Sequence, residues 1–560
     1  MADGTDAPER VATVPSQQDP DVDAAGAAFP IDPEALKLDK KRDKVRAAWI
    51  AFVGRILAQL IGAAATVGLG LYVVRTYGVE GPARREGTPA TAVATATVTP
   101  APRRPALVVL PFQVYSPTGA DQKLSDGFTE ALIADLSRIP DLRVVSRTSS
   151  MYYRGTNKTL PAIAKELDVD LVVEASVARQ GTHVRVTVQL IEAATDSHVW
   201  AQTYDRRTGD LLVLQADVTR AVAQELRASI APRQERALAE RAGLPADVID
   251  DYLRGRLAFD RRSPGDLLAA TTVFERVAGR APAFAPVHAA LAATWCLRAL
   301  DAFGARAARE ALDKAEASAM EASRLDASNP DAHLALAVVR HRRDWKWGDA
   351  EREFLRTLEL RESHVSAHQW YSVFLAEQGR HDLADQHAAR ALALDPNSSS
   401  VHRTAGLVAF YGRRLNAAEA SLRRSLTLDP SAGATRLLLA SVLLEQGRHE
   451  QARAIATVVS DEQLQDQRLA LLAHAAMGAG NRAAATRYRA EIAGLPTPPS
   501  LIAQARLCAA AGDTEALVAT ATRAVEQRTQ LAAALKVHPL FEPVRQAVAF
   551  QALMRRVGLS

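Results

Sequence analysis

Thirteen histidines and two cysteines are the side chains with which this 560-residue chain could hold a metal or attack a substrate. The histidines are scattered, but His288, His333, His368 and His402 each fall near the start of a helical stretch. Metal binding needs such ligands to converge on one point. A position that returns once per structural unit reads instead as part of the unit's construction. Cys296 and Cys508 stand far apart in apolar helical contexts, with no Cys/His spacing of a zinc site. They read as small, buried hydrophobes. Asp126 and Glu130 form an acidic pair near the expected start of a helix, where carboxylates complement the helix dipole; that capping role is the expectation for them. The chain has no GxSxG, GxxxxGK[ST] or HExxH, and no GxGxxG opening a helix after a strand. No catalytic residue, metal site or cofactor is therefore expected, and the chain reads as a binding protein and not an enzyme. The charge gives no nucleic-acid reading either, because 68 basic residues nearly balance 64 acidic ones for a net +4.

What positions side chains here is a repeat. Ala350, Ala384, Ala418 and Ala452 follow one another at intervals of 34 residues, and Gly379 and Gly447 lie two intervals apart. A second small-residue register runs through Ser372, Gly406 and Ala440. Helical periodicity with a 34-residue unit is the pattern of the tetratricopeptide repeat. Small residues are needed where its two helices cross, and the closing Asp-Pro ends the second helix. The repeat region is assigned to residues 232–560. A degenerate first copy begins near Asp251, the stretch from Asp326 to Leu360 holds one extra residue, and a late copy lies near residues 508–525. Such an array exposes a groove lined by its first helices. The register puts Gln369, Val373, Ser400, Arg403, Leu407, Phe410, Leu437, Ser441 and Leu444 there, for a helix or extended segment of another protein. Packing of some of them inside the stack is the alternative.

Residues 106–231 follow a different pattern. "ALVVLPF" is a buried strand, and Leu124, Phe128, Leu132, Leu136 and Ile139 mark a helix face. "LRVVSRTS" is a second strand, "LPAIAKEL" a short helix and "DLVVEASV" a third strand. "HVRVTVQLIEA" alternates, with Val184, Val186, Val188 and Leu190 on one face, and "HVWAQTYDR" is its antiparallel neighbour. A helix with Leu211, Leu214, Val218, Val222 and Leu226 closes the segment. The order βαβαβββα predicts an α/β domain with a mixed sheet. Trp200 and Tyr204 share a strand face and read as sheet packing.

This segment resembles the amino-terminal domain of TolB and its relatives, on "LVVLPF", "LSDGFTEALIADLSRIPDLRVVSRTSS", "IAKELDVDLVVEASV", "VRVTVQLIEAATDSHVW" and "YDRR". In order and spacing these match the version that follows a membrane helix in certain bacterial adenylate cyclases and winged-helix regulators. The terminal "LKVHPLFEPVRQAVAFQALMRRVGL" is similar to the segment that closes their repeats. The resemblance implies a binding or sensory module and carries over no catalytic residue. The Lys/Asn arrangement that grips a peptide's terminal carboxylate in chaperone-binding repeats is absent here.

Near the start, Ile56 to Val74 is a run of 19 residues without formal charge. At 1.5 Å per residue it spans about 28 Å, enough for the apolar core of a bilayer. Lys37, Lys40, Lys41, Arg42, Lys44 and Arg46 precede it, against Arg75, Arg84 and Arg85 after it. That bias puts the N-terminus in the cytoplasm and the bulk outside it. Residues 1–46 are thus expected to be a disordered cytoplasmic tail, 47–75 a signal anchor in the bacterial inner membrane, and 76–105 a Pro/Thr/Ala-rich spacer leading into the periplasm. Ala58, Gly62, Thr66 and Gly70 recur every four residues, a small-xxx-small face that permits a homodimer through the span. The 46 residues before it are too few for a cyclase domain. The expectation is an anchored scaffold for other proteins, or a regulatory component whose output is a separate protein; an envelope hydrolase is a distant third.

Overall fold

The computed structural model describes residues 105–114, 119–139, 142–180, 183–207, 211–226, 243–300 and 304–559, all within one unit, Pro100–Ser560. The expected tail, span and spacer, and with them Ala58, Gly62, Thr66 and Gly70, lie outside the described residues. Among the described residues no helix is long and apolar enough to cross a membrane.

A mixed sheet opens the described chain. Its strands are β1 (Ala106–Val109), β2 (Gln113–Val114), β3 (Arg143–Val144), β4 (Leu171–Gln180), β5 (His183–Glu192) and β6 (Ser197–Arg207), in the order β3-β1-β4-β5-β6 with β2 also on β4. β1 is parallel to β3 and β4, while β4, β5 and β6 run antiparallel. The helices around it are α1 (Gly119–Leu136), α2 (Arg147–Met151), α3 (Leu160–Leu167) and α4 (Leu211–Glu225). β1 reads as a continuous apolar run because it is covered on both faces. Leu107 and Val109 pack with Phe128, Leu132, Leu136, Leu214, Val218 and Val222. Ala106 and Val108 pack with Ile163, Ala164 and Leu167. β5 has one covered face, which is why its sequence alternates. Tyr204 is buried and Trp200 half-buried in the first of these cores, so both are sheet packing.

Two local expectations change. "LRVVSRTS" pairs as a strand only at Arg143–Val144. Ser146 then takes the amide of Ser149 at 3.3 Å and starts α2 in place of further strand. The first long helix starts at Gly119, so Asp126 and Glu130 lie well inside it and cap nothing.

The remainder is helical and built in pairs: α5 (Ala246–Arg261) with α6 (Pro264–Arg280), α7 (Ala285–Leu300) with α8 (Gly304–Leu325), α9 (Pro330–Val339) with α10 (Trp347–Leu360), and α11 (Val365–Glu377) with α12 (His381–Leu394). There follow α13 (Ser399–Tyr411) with α14 (Leu415–Leu428), α15 (Gly433–Glu445) with α16 (His449–Thr457), α17 (Gln465–Gly478) with α18 (Arg482–Ala493), and α19 (Leu501–Ala511) with α20 (Thr514–Glu526). The extra residue of the third pair is absorbed as a π-helical turn, Arg340–Asp344, continuing α9. α21 (Gln530–Ala533), a 3₁₀ turn at Pro539–Val544 and α22 (Val548–Val557) close the chain and share a core with α19 and α20.

Candidate partner groove and junction cavity

The repeat is built where the small residues predict it. Ala350, Ala384, Ala418 and Ala452 are buried in the second helices of their pairs. A Cβ on Gly406 would stand 2.6 Å from Cγ of Leu422 and 3.3 Å from the Ala418 carbonyl oxygen, so α13 and α14 touch backbone to side chain there. The turn between paired helices takes a left-handed residue at the same register: Trp345, Gly379, Arg413 and Gly447, each 34 after the last. Two copies thus use a non-glycine residue in a conformation that glycine adopts more easily.

The recurring histidines have a common task. His288, His333, His368 and His402 each donate from Nε2 to the carbonyl six residues earlier, those of Pro282, Ala327, Glu362 and Pro396, at 2.9, 3.1, 2.9 and 2.9 Å. Each ring ties a first helix to the loop that enters it. Among the described residues no group of three or more His, Cys, Asp or Glu is placed to hold a metal ion. Both cysteines are free; burial pushes the Cys296 thiol up to about 12, so it stays protonated.

The predicted groove residues fall into two sets. Val373, Phe410, Leu437, Ser441 and Leu444 are buried, as is Gln369, whose amide lies 3.5 Å from Ser400 Oγ and 3.4 Å from Thr404 Oγ1. Ser400, Arg403 and Leu407 keep partial exposure. What covers part of the first set is the chain's own terminal segment, laid across the C-terminal ends of successive first helices. Trp347 Nε1 donates to the Val557 carbonyl at 2.9 Å, and the Arg528 guanidinium sits 5.0 Å over the Trp345 ring. The Lys536 stem passes Gly379, and the His538 ring stands 5.9 Å from Phe410, edge to face. Arg506 donates to Ser441 Oγ at 2.8 Å. A recess of about 150 Å³ remains, lined by Leu407, Phe410, Leu437, Leu471, Arg506 and His538 among others. Sequence reasoning missed this cover because the segment is not periodic. The apolar Leu540 and Phe541, both buried, were its one signal.

The sheet-bearing part and the repeats meet through buried polar contacts. Ser149 Oγ donates to Asp395 at 2.7 Å, using the Asp of one closing Asp-Pro, and Ser149 Oγ also takes the Asn397 amide at 2.9 Å. Glu130, read from sequence as a cap, is buried here. It accepts from Arg256 Nε at 2.9 Å and lies 3.5 Å from Arg147, which is itself 3.3 Å from Asp260. Burial and the neighbouring Asp260 push the Glu130 carboxyl up to about 7 against the pull of Arg256 and Arg147. Asp126 pairs at the surface with Arg154. Between the two parts lies a cavity of about 230 Å³ lined by α1, α5 and the following first helices.

Stability should fall as pH drops below neutrality. Burial holds His341 and His368 down to about 4 and His538 to about 3, against 6.5 in an unfolded chain. Below pH 6.5 the unfolded chain therefore binds protons that the fold excludes, so stability is lost as pH falls from about 6.5 toward 4. Each of the three costs on the order of 1–2 kcal/mol by pH 5. Glu130 acts in the opposite sense between pH 7 and 4.5, as do the carboxyls of Glu174, Asp250 and Asp395 that burial raises, while His474, also held down to about 4, adds to the loss. Thermal melts should show a lower melting temperature at pH 5 than at pH 7.5. A flat profile would mean that these rings are not buried neutral.

Comparison with known proteins agrees with the helix-pair geometry. The model of the tetratricopeptide repeat matches residues 410–477. The chain carries tetratricopeptide repeats. It is 31% identical over 238 residues to "Putative adenylate cyclase 3" of Rhizobium meliloti (strain 1021), a match that takes in 42% of this chain and 40% of that protein. The chain thus spans about two fifths of the relative's length. Among solved structures it is similar to the PilF protein of Pseudomonas aeruginosa, with 24% identity, a TM-score of 0.30, and 38% of this chain and 95% of that one covered. It is also similar to MamA from Desulfovibrio magneticus RS-1, with 19% identity, a TM-score of 0.25, and 31% and 93% covered.

Proposed function

We propose that the protein is a membrane-anchored, extracytoplasmic scaffold that binds another protein through its tetratricopeptide repeats. The observation that carries this is the row of helix pairs, four of which turn at one 34-residue register (Trp345, Gly379, Arg413 and Gly447), an architecture whose surfaces are extended and suited to peptide segments. The partner surface is the partly exposed edge at Ser400, Arg403 and Leu407 with the recess lined by Leu407, Phe410, Leu437 and His538. The apolar run Ile56–Val74 supplies the anchor, with the bulk periplasmic, and its Ala58, Gly62, Thr66 and Gly70 face would pair two copies. Residues 106–231 serve as a TolB-like module beside the repeats. No enzymatic role or nucleic acid is part of this reading.

A second reading, a regulatory component whose output is a separate protein, draws support from the relative named as an adenylate cyclase. In both, the repeats face another protein. A photoreactive residue at Leu407 in the full chain, irradiated in intact membranes, should give one discrete adduct, and a reporter active only outside the cytoplasm should work when fused after Ser560. No adduct from any exposed position of the row, or activity of a cytoplasm-only reporter at that junction, would remove the proposal.

A further inference from the structure

The cavity between the sheet-bearing part and the first helix pairs has a lining of two kinds. One side is apolar, with Tyr252, Phe259, Leu334 and Trp370. The other is charged, and nearly all of its charge is already matched. Glu130 is engaged by Arg256 and Arg147, and Asp260 by Arg147 at 3.3 Å. Asp331 is engaged by Arg361 and His364, both at 2.9 Å, and Arg138 lies 3.8 Å from Asp135. The exception is Arg262. Its backbone amide donates to the Phe259 carbonyl at 3.3 Å, but its guanidinium makes no hydrogen bond or ion pair among the described residues. Asp260 and Asp395 attract it without direct contact; the first is paired with Arg147, and the second accepts from the neutral Ser149 hydroxyl. Arg262 is exposed to solvent and lines the cavity.

We propose that this cavity binds a small organic anion, a carboxylate or phosphate ester on an apolar body, with Arg262 taking the anionic group. A cationic ligand would find no carboxylate here that lacks a guanidinium. A planar fork with free donors is suited to carboxylate or phosphate. The volume admits a ring bearing such a group, since about 150 Å³ suffices for benzene. α1 on one side and α5, α9 and α11 on the other line the same space, so an occupant ties the sheet-bearing part to the repeats and raises the melting temperature by mass action. The site is independent of which protein the repeats bind.

The test is calorimetric titration of the full chain in detergent with phenylacetate and phenyl phosphate, beside phenylacetamide and phenethylamine. At least one of the two anions should bind saturably, which also tells a carboxylate site from a phosphate site, and the amide and amine at least about tenfold more weakly. Arg262 ends α5 with φ of +57°, where glycine is at ease. Arg262→Gly should therefore keep or raise the melting temperature while weakening the anion about 10- to 100-fold. If that variant does not fold, Arg262→Gln is held to the same loss. Anions that fail to bind by about 10 mM, an amine that binds as well, or undiminished binding in the variant would each overturn the proposal.

Discussion

Ala418→Trp should lower the melting temperature of the 106–560 fragment more than any change on the repeat surface. Ala418 is fully buried in α14, and its carbonyl lies opposite Gly406, with Leu422 filling the rest of the crossing. An indole has no room there without parting α13 from α14. Overpacking of this kind costs about 1–3 kcal/mol, occasionally more. In a linear array the separation also weakens the interfaces with α12 and α15. Arg424→Glu is the control. Arg424 is exposed on the same helix and holds one hydrogen bond, to Asn397 at 3.2 Å, so its replacement should change the melting temperature very little. The fragment must begin at 106 and not at 232, because cutting there would leave Arg256 without Glu130.

The second large effect lies at the π turn. Glu377 is almost completely buried and accepts from His341 Nε2 at 2.6 Å and from Arg342 Nη1 at 3.0 Å, joining the third and fourth helix pairs. Burial works against its ionisation, but Arg342 and His341 outweigh that and keep the carboxyl below its ordinary range. Glu377→Leu leaves the Arg342 guanidinium buried without an acceptor. Removing one partner of such a pair costs about 3–5 kcal/mol. Glu377→Gln keeps an acceptor oxygen in place and should lose clearly less. Denaturant unfolding of the three chains measures the difference. Equal losses for Leu and Gln would show that charge and acceptor at this site do not matter.

The sequence carried the repeat well, for a physical reason. Two helices can cross closely only at small side chains, so Ala384, Ala418, Gly406 and Ala440 had to appear at one spacing, and they are buried as that spacing requires. The alternation of Val184, Val186, Val188 and Leu190 likewise follows from a sheet covered on one face. The extra residue before Trp347 could be counted, but its absorption as a π turn depends on Glu377 and Glu316 reaching back to Arg342 and Arg340, contacts made across helices. Glu130 misled because its partner Arg256 is 126 residues away, and a carboxylate near an expected helix start looks like a cap. The cover over Phe410 was not legible because His538 and Leu540 follow no period. Arg262 could not be singled out either. That its guanidinium touches neither Asp260 nor Asp395 depends on how separate helices are placed.

The claim that the 34-residue array itself forms the partner surface is tested most directly by placing Ala418→Trp beneath the Leu407 photo-crosslinker in intact membranes. The expected result is loss of the Leu407 adduct with Ala418→Trp and its retention with Arg424→Glu, at equal amounts of chain in the membrane. A Leu407 adduct of undiminished yield in the Ala418→Trp chain would contradict the claim.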